Sequence, residues 1–325
     1  MRPFLLETIA WPAAFEVNDR TRQALVIVLL KHLCTCAAVV LVDRERLVAQ
    51  DLSAAIWVWP DSDRRQQAMA LLDRLDDLHR VIGTSVGVTG STACEHVHDL
   101  SRQVGDTCTA VVPESCGCGK GWCGRSDLGQ SVADFLLRDE WSQSAPHPPM
   151  DLAAFQQQIW QPWFAHTRTL VLVDRNLGRN AARKHGLDIR WTRSLRWIVQ
   201  CFSEHAYRAD FPGPRITIFT GSGLSSPDLD KLKTRLRELQ ATLNQGFPPD
   251  FIRIVLKEEQ RRVAEMPHAR YLRTDQGIWR IENGLDVVHW TRSDAVVENF
   301  IATLDDRAWE EVEREFSDLR DLDLQ

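Results

Sequence analysis

The chain has 325 residues, 44% of them hydrophobic and 26% charged, the mix of a soluble globular protein long enough for two domains. Its net charge of −6 excludes a surface broadly coated by nucleic acid, which needs concentrated positive charge, but leaves room for a local basic groove. Of the 39 basic residues 6 are Lys, leaving 33 Arg, a bias of composition rather than a mark of function.

The start, Met1 to Glu7, has no apolar run of secretory length and carries an acid within it. The most apolar stretch, Ala24 to Val42, has Lys31 and His32 near its middle, which a membrane-spanning helix would have to bury. These features predict a cytoplasmic protein without a transmembrane segment, its eight cysteines reduced.

Helical spacing of apolar residues predicts a helix over about Asp19–Leu33, and the β-rich run Ala37–Val42 predicts a strand ending at Asp43. Helices over about Glu45–Val58 and Asp63–Arg80 follow, then a strand at Thr109–Val112. Apolar strands separated by helices imply a covered parallel sheet. Asp43, at a strand end, suits either a helix cap or one carboxylate of a PIN-like metal nuclease.

The polar, proline-rich residues Ser142 to Pro149 mark a linker, giving an N-terminal α/β domain over 1–141, a linker over 142–150 and a second α/β domain over 151–325. In the second domain a helix near Leu152–Phe164 precedes a strand Thr169–Val173 that ends at Asp174. A helix Arg193–His205, a strand Arg215–Phe219, a helix Asp228–Leu243 and a strand Ile252–Leu256 come next. A helical stretch is expected before Pro267, and a hairpin turn at Asp275–Gly277. The stripe Val297, Phe300, Ile301, Leu304, Trp309, Val312 and Phe316 predicts one acidic helix over about Asp294–Leu319.

His268, Arg270 and Asp275 have the spacing H-x-R-x-x-x-x-D. With the preceding strands and helices, this pattern resembles the phospholipase D superfamily, whose H-x-K-x-x-x-x-D lies at a strand hairpin. The resemblance implies an α/β domain with a mixed sheet flanked by helices. It also implies a metal-independent phosphodiesterase: His268 as nucleophile forming a phosphohistidine, Arg270 clamping the phosphate oxygens, Asp275 orienting the imidazole. Arg replaces the usual Lys, and the Gly-Ser or Gly-Gly that usually follows is absent. A single motif implies a site shared by two chains in a homodimer, each giving one His. Asp174, Arg175 and Arg179, after the first strand of this domain, and Asn283, after the motif, are the residues expected to line the substrate.

The longer string His268, Arg270, Gly277-Ile278-Trp279-Arg280-Ile281 and Gly284-Leu285-Asp286 is similar to a second branch. That branch is the phospholipase D-like C-terminal domain of proteins with a microtubule-interacting-and-trafficking module, which is dimeric and binds phospholipid rather than cutting it.

Cys108, Cys116, Cys118 and Cys123 lie within sixteen residues, interleaved with Gly117, Gly119, Gly121 and Gly124. Four thiolates with glycines that let the backbone wrap round them suit a structural zinc ion, with Cys94, His96 and His98 as substitute ligands. Cys34, Cys36 and Cys201 sit in apolar surroundings and are expected in the core.

Two functions of different class follow. One is a nuclease of an antiphage-defence or mobile-element system, with no cofactor in its chemistry. The other is an inactive scaffold or binding subunit holding nucleic acid, phospholipid or a protein partner of a defence complex.

Overall fold

A computed structural model describes residues 7–10, 18–35, 39–42, 47–78, 81–83, 109–111, 150–164, 167–181, 189–206, 215–223, 226–260, 264–275, 277–281, 296–297, 300–303 and 306–324. The chain divides into two compact units, Met1–Gln143 and Ser144–Gln325.

The first unit has β1 (Glu7–Ala10), α1 (Arg20–Thr35), β2 (Val39–Val42), α2 (Leu47–Trp57), α3 (Ser62–Asp77), β3 (Val81–Gly83) and β4 (Thr109–Val111). The strands form a parallel sheet in the order β3-β2-β1-β4. Helix α1 begins where the Asp19 carboxylate accepts hydrogen bonds from the amides of Thr21 and Arg22, both at 3.0 Å. Val26, Leu29, Leu30 and Cys34 then fall on one face and pack with Leu52, Ile56, Trp59, Ala68 and Leu75. Lys31, in the middle of the apolar run, is exposed. Among the described residues no helix is long and apolar enough to cross a membrane.

The second unit opens with β5 (Met150–Asp151) and α4 (Leu152–Phe155), which continues through a π-helical turn, Gln156–Trp160, into α5 (Gln161–Phe164). Then come β6 (Leu170–Val173), α6 (Arg175–Ala181), α7 (Ile189–His205), β7 (Ile216–Gly221), α8 (Ser226–Leu243) and β8 (Ile252–Lys257). β9 (Arg270–Thr274), β10 (Gly277–Ile281), β11 (Val296–Val297), β12 (Phe300–Thr303), α9 (Asp306–Ser317) and β13 (Asp321–Leu322) complete it.

A seven-stranded mixed sheet runs β12-β10-β9-β6-β7-β8-β13, with β6, β7 and β8 parallel and the outer strands antiparallel to their neighbours. β10 shows why both faces are covered. Trp279 meets Phe155 edge-on at 6.2 Å between ring centroids. Its neighbour Ile278 packs with Trp309, Val312 and Phe316 of α9, because successive residues of a strand face opposite ways. On the Trp279 side Trp160 stacks on Trp197 of α7 at 4.5 Å and 18°. Cys34 and Cys201 are buried, and burial, with Glu204 nearby, pushes the Cys201 thiol up to about 12.

The outer edge of β8 is closed by side chains. Asn244, just past α8, donates through Nδ2 to Ile252 O and accepts from Ile252 N, both at 2.9 Å. Gln240 accepts from Ile254 N at 2.7 Å. β13 takes over beside Leu256 and Lys257.

Two sequence expectations need correcting. The stretch expected to be one helix from about Asp294 instead contains β11 and β12, with the helix confined to Asp306–Ser317. Phe300 and Ile301 pair with Ile281 and Arg280, and in such apolar, β-branched and aromatic sequence sheet pairing overrides a helical-looking stripe. Before Pro267 the described residues form no helix but an isolated bridge between Gln260 and Ala264. Asp43, Cys36, Cys94, His96, His98, Cys108, Cys116, Cys118, Cys123 and Asn283 lie outside the described residues, and with them the zinc and PIN-like expectations. Among the described residues no three His, Cys, Asp or Glu side chains gather as metal ligands.

Candidate functional site

Register places the site. Val173, Phe219 and Val255 are aligned across β6, β7 and β8, so the chain leaves all three parallel strands at one edge of the sheet, the usual ligand edge of α/β sheets. β9 enters at this edge, with Tyr271 paired to Val173, bringing Arg270 to the level of Asp174.

Asp174 is fully buried. Its amide continues the ladder to Phe219 O at 3.0 Å. Its Oδ1 accepts from the amides of Asn176 at 2.8 Å and Leu177 at 3.2 Å, capping α6. Arg270 Nε lies 3.9 Å from the same oxygen. Thr220 Oγ1 donates to Asp174 O at 2.8 Å and accepts from Gly178 N at 2.7 Å. Gly178 is required there: a Cβ would collide with the carbonyl oxygen of Gly221. The first turn of α6 is therefore pinned to β7, and this fixes Arg175.

The Arg175 side chain is only 4% exposed. Its Nε pairs with Glu259 Oε1 at 2.6 Å, and its Nη2 with Glu265 Oε2. Its Nη1 is 3.3 Å from Nε2 and 3.5 Å from Nδ1 of His268. Glu259, just past β8, has a side chain 2% exposed, and its Oε1 also accepts from Met266 N at 3.0 Å. Its own amide donates to Ser222 Oγ at 3.0 Å, and a Cβ on Gly221 would fall inside its carboxylate. The Glu265 side chain is 28% exposed, and His268 is exposed.

Arg175, His268, Arg270 and Asp174 are thus brought to one edge. Arg179 lies in α6, its side chain outside the described residues. Asp275 is not brought there. β9 separates it from Arg270 by five residues, roughly 17 Å of extended chain. At the far end its carboxylate accepts from Arg168 N at 2.8 Å, Thr169 N at 3.2 Å and Thr169 Oγ1 at 2.8 Å. The expectation that Asp275 orients the imidazole is corrected: it ties the hairpin turn to the start of β6. Against His268 stands Arg175, whose N–H groups can only donate. Glu259 and Glu265 were missed by the sequence reading, and the one available signal was that Glu259 follows the end of a parallel strand.

No family model and no curated protein matches the sequence.

Proposed function

We propose that the second unit is a phospholipase D-like module that holds a phosphodiester anion at the Arg175–His268–Arg270 edge without cleaving it. The observation that carries this reading is the guanidinium against the imidazole. A nucleophilic His must offer a ring lone pair to phosphorus. A donor-only cation beside both ring nitrogens competes for that lone pair in either tautomer, and the carboxylate that would orient the ring is committed at the opposite end of β9. The same cations suit a bound phosphate, whose oxygens accept charge-assisted hydrogen bonds from guanidinium N–H groups. The net charge of −6 fits a short ligand segment rather than a long duplex.

The exposure of His268 favours a second reading, hydrolysis through a phosphohistidine with two chains of a homodimer each bringing one His268. One set of measurements separates the two. Binding of labelled single- and double-stranded DNA and RNA, binding of anionic phospholipid vesicles, and cleavage of the nucleic acids and a chromogenic phosphodiester are compared for wild type and His268→Ala, with EDTA and without. Binding that weakens in the variant, with no cleavage by either protein, is the expected result. The nucleic-acid and vesicle arms identify which source supplies the phosphodiester. EDTA-resistant cleavage lost in His268→Ala would establish the hydrolase instead, in keeping with a nuclease of a defence system.

A further inference from the structure

We infer that Glu265 is a resident counter-anion, occupying on Arg175 the place that a phosphate ligand takes when it binds. The inference rests on the phosphate-holding reading of the same site. Arg175 has a buried side chain whose Nε is committed to Glu259 and whose Nη1 faces His268, so Nη2 is the part of the guanidinium left for a ligand, and Glu265 covers it.

The two carboxylates on Arg175 are held differently. Glu259 is buried, receives the Met266 amide, and fills the space that a side chain on Gly221 would need. It cannot leave without dismantling the edge. Glu265 lies in irregular chain between Ala264, in the isolated bridge, and the start of β9, with over a quarter of its side chain in water. It can turn outward, and its charge is hydrated when it does. A carboxylate oxygen and a phosphate oxygen each accept a charge-assisted hydrogen bond from the same Nη2, so exchange preserves the geometry of Arg175. Glu265 therefore keeps the buried cation neutralised while the site is empty. It also sets a threshold, because a ligand must compete with an acid already in place.

The test titrates inorganic phosphate and a labelled ten-residue deoxythymidine oligonucleotide into wild type, Glu265→Gln and Glu265→Asp, with an unfolding curve for each. Removing the competing charge in Glu265→Gln should tighten binding of both probes about tenfold while leaving the unfolding midpoint close to wild type. Glu265→Asp keeps the charge on a shorter stem and should fall between the two. Adding Arg175→Lys to Glu265→Gln should abolish the gain, because the fork of donors is gone. Measurable wild-type binding unchanged or weakened in both Glu265 variants overturns the inference and leaves the phosphate-holding reading standing. Glu265 is then a second structural clamp on Arg175. No binding of either probe by any of the proteins defeats the reading and the inference together.

Discussion

Among its described residues the second unit buries two cations, and it treats them differently. Lys257, at the end of β8, donates to Leu319 O at 3.2 Å and pairs with Asp321 at 2.6 Å. It also lies over the rings of Phe219 at 5.5 Å and Phe316 at 5.8 Å. Apart from Phe219, these partners belong to the last turn of α9 and the chain after it, so Lys257 staples the C-terminal segment onto the sheet. Arg175 is tied instead to Glu259, to Glu265 and to His268, and the last two reach solvent. One cation looks inward to architecture and the other outward. The difference shows that burial of charge does not by itself mark a site. What marks it is a buried charge whose partners can be exchanged.

Three substitutions sharpen or break this contrast. Arg175→Ala removes the cation from a carboxylate that is itself buried and should cost about 3–5 kcal/mol in denaturant unfolding. A loss as small as that of a surface substitution would mean that Glu259 has another way to be neutralised. Gly221→Ala puts a methyl group into the Glu259 carboxylate and should cost about 1–3 kcal/mol. The same variant should weaken phosphate binding if Glu259 sets the position of Arg175. Lys257→Met keeps an apolar stem between the two Phe rings and leaves Asp321, whose side chain is 58% exposed, free to hydrate. Its expected cost is within about 1 kcal/mol, with ligand binding untouched. If Lys257→Met proved as costly as Arg175→Ala, the two cations would be doing the same work.

The parts of this fold written in local pattern were legible from sequence. The apolar runs Leu170–Val173, Ile216–Phe219 and Ile252–Leu256 announce buried parallel strands because both faces of the sheet are covered. The β9–β10 hairpin follows from the turn at Asp275–Gly277. Phe300 and Ile301 were misplaced because their pairing with β10 is a relation across some twenty residues that periodicity does not contain. The site divides in the same way. His268 and Arg270 are found by their spacing. The spacing also suggests Asp275 as their partner, but an extended strand of five residues carries it roughly 17 Å away, to the other end of β9. Glu265 reaches Arg175 across 90 residues of chain, and no motif links positions that only folding brings together.

Asn244 and Gln240 have a further consequence. A bare edge strand offers its amides and carbonyls to strands of other chains, the route by which sheets grow into fibrils. Along the first half of β8 two side-chain amides already stand beside Ile252 and Ile254, so the sheet is finished there within one molecule. Crowding many copies together leaves that stretch fewer backbone groups to polymerise through.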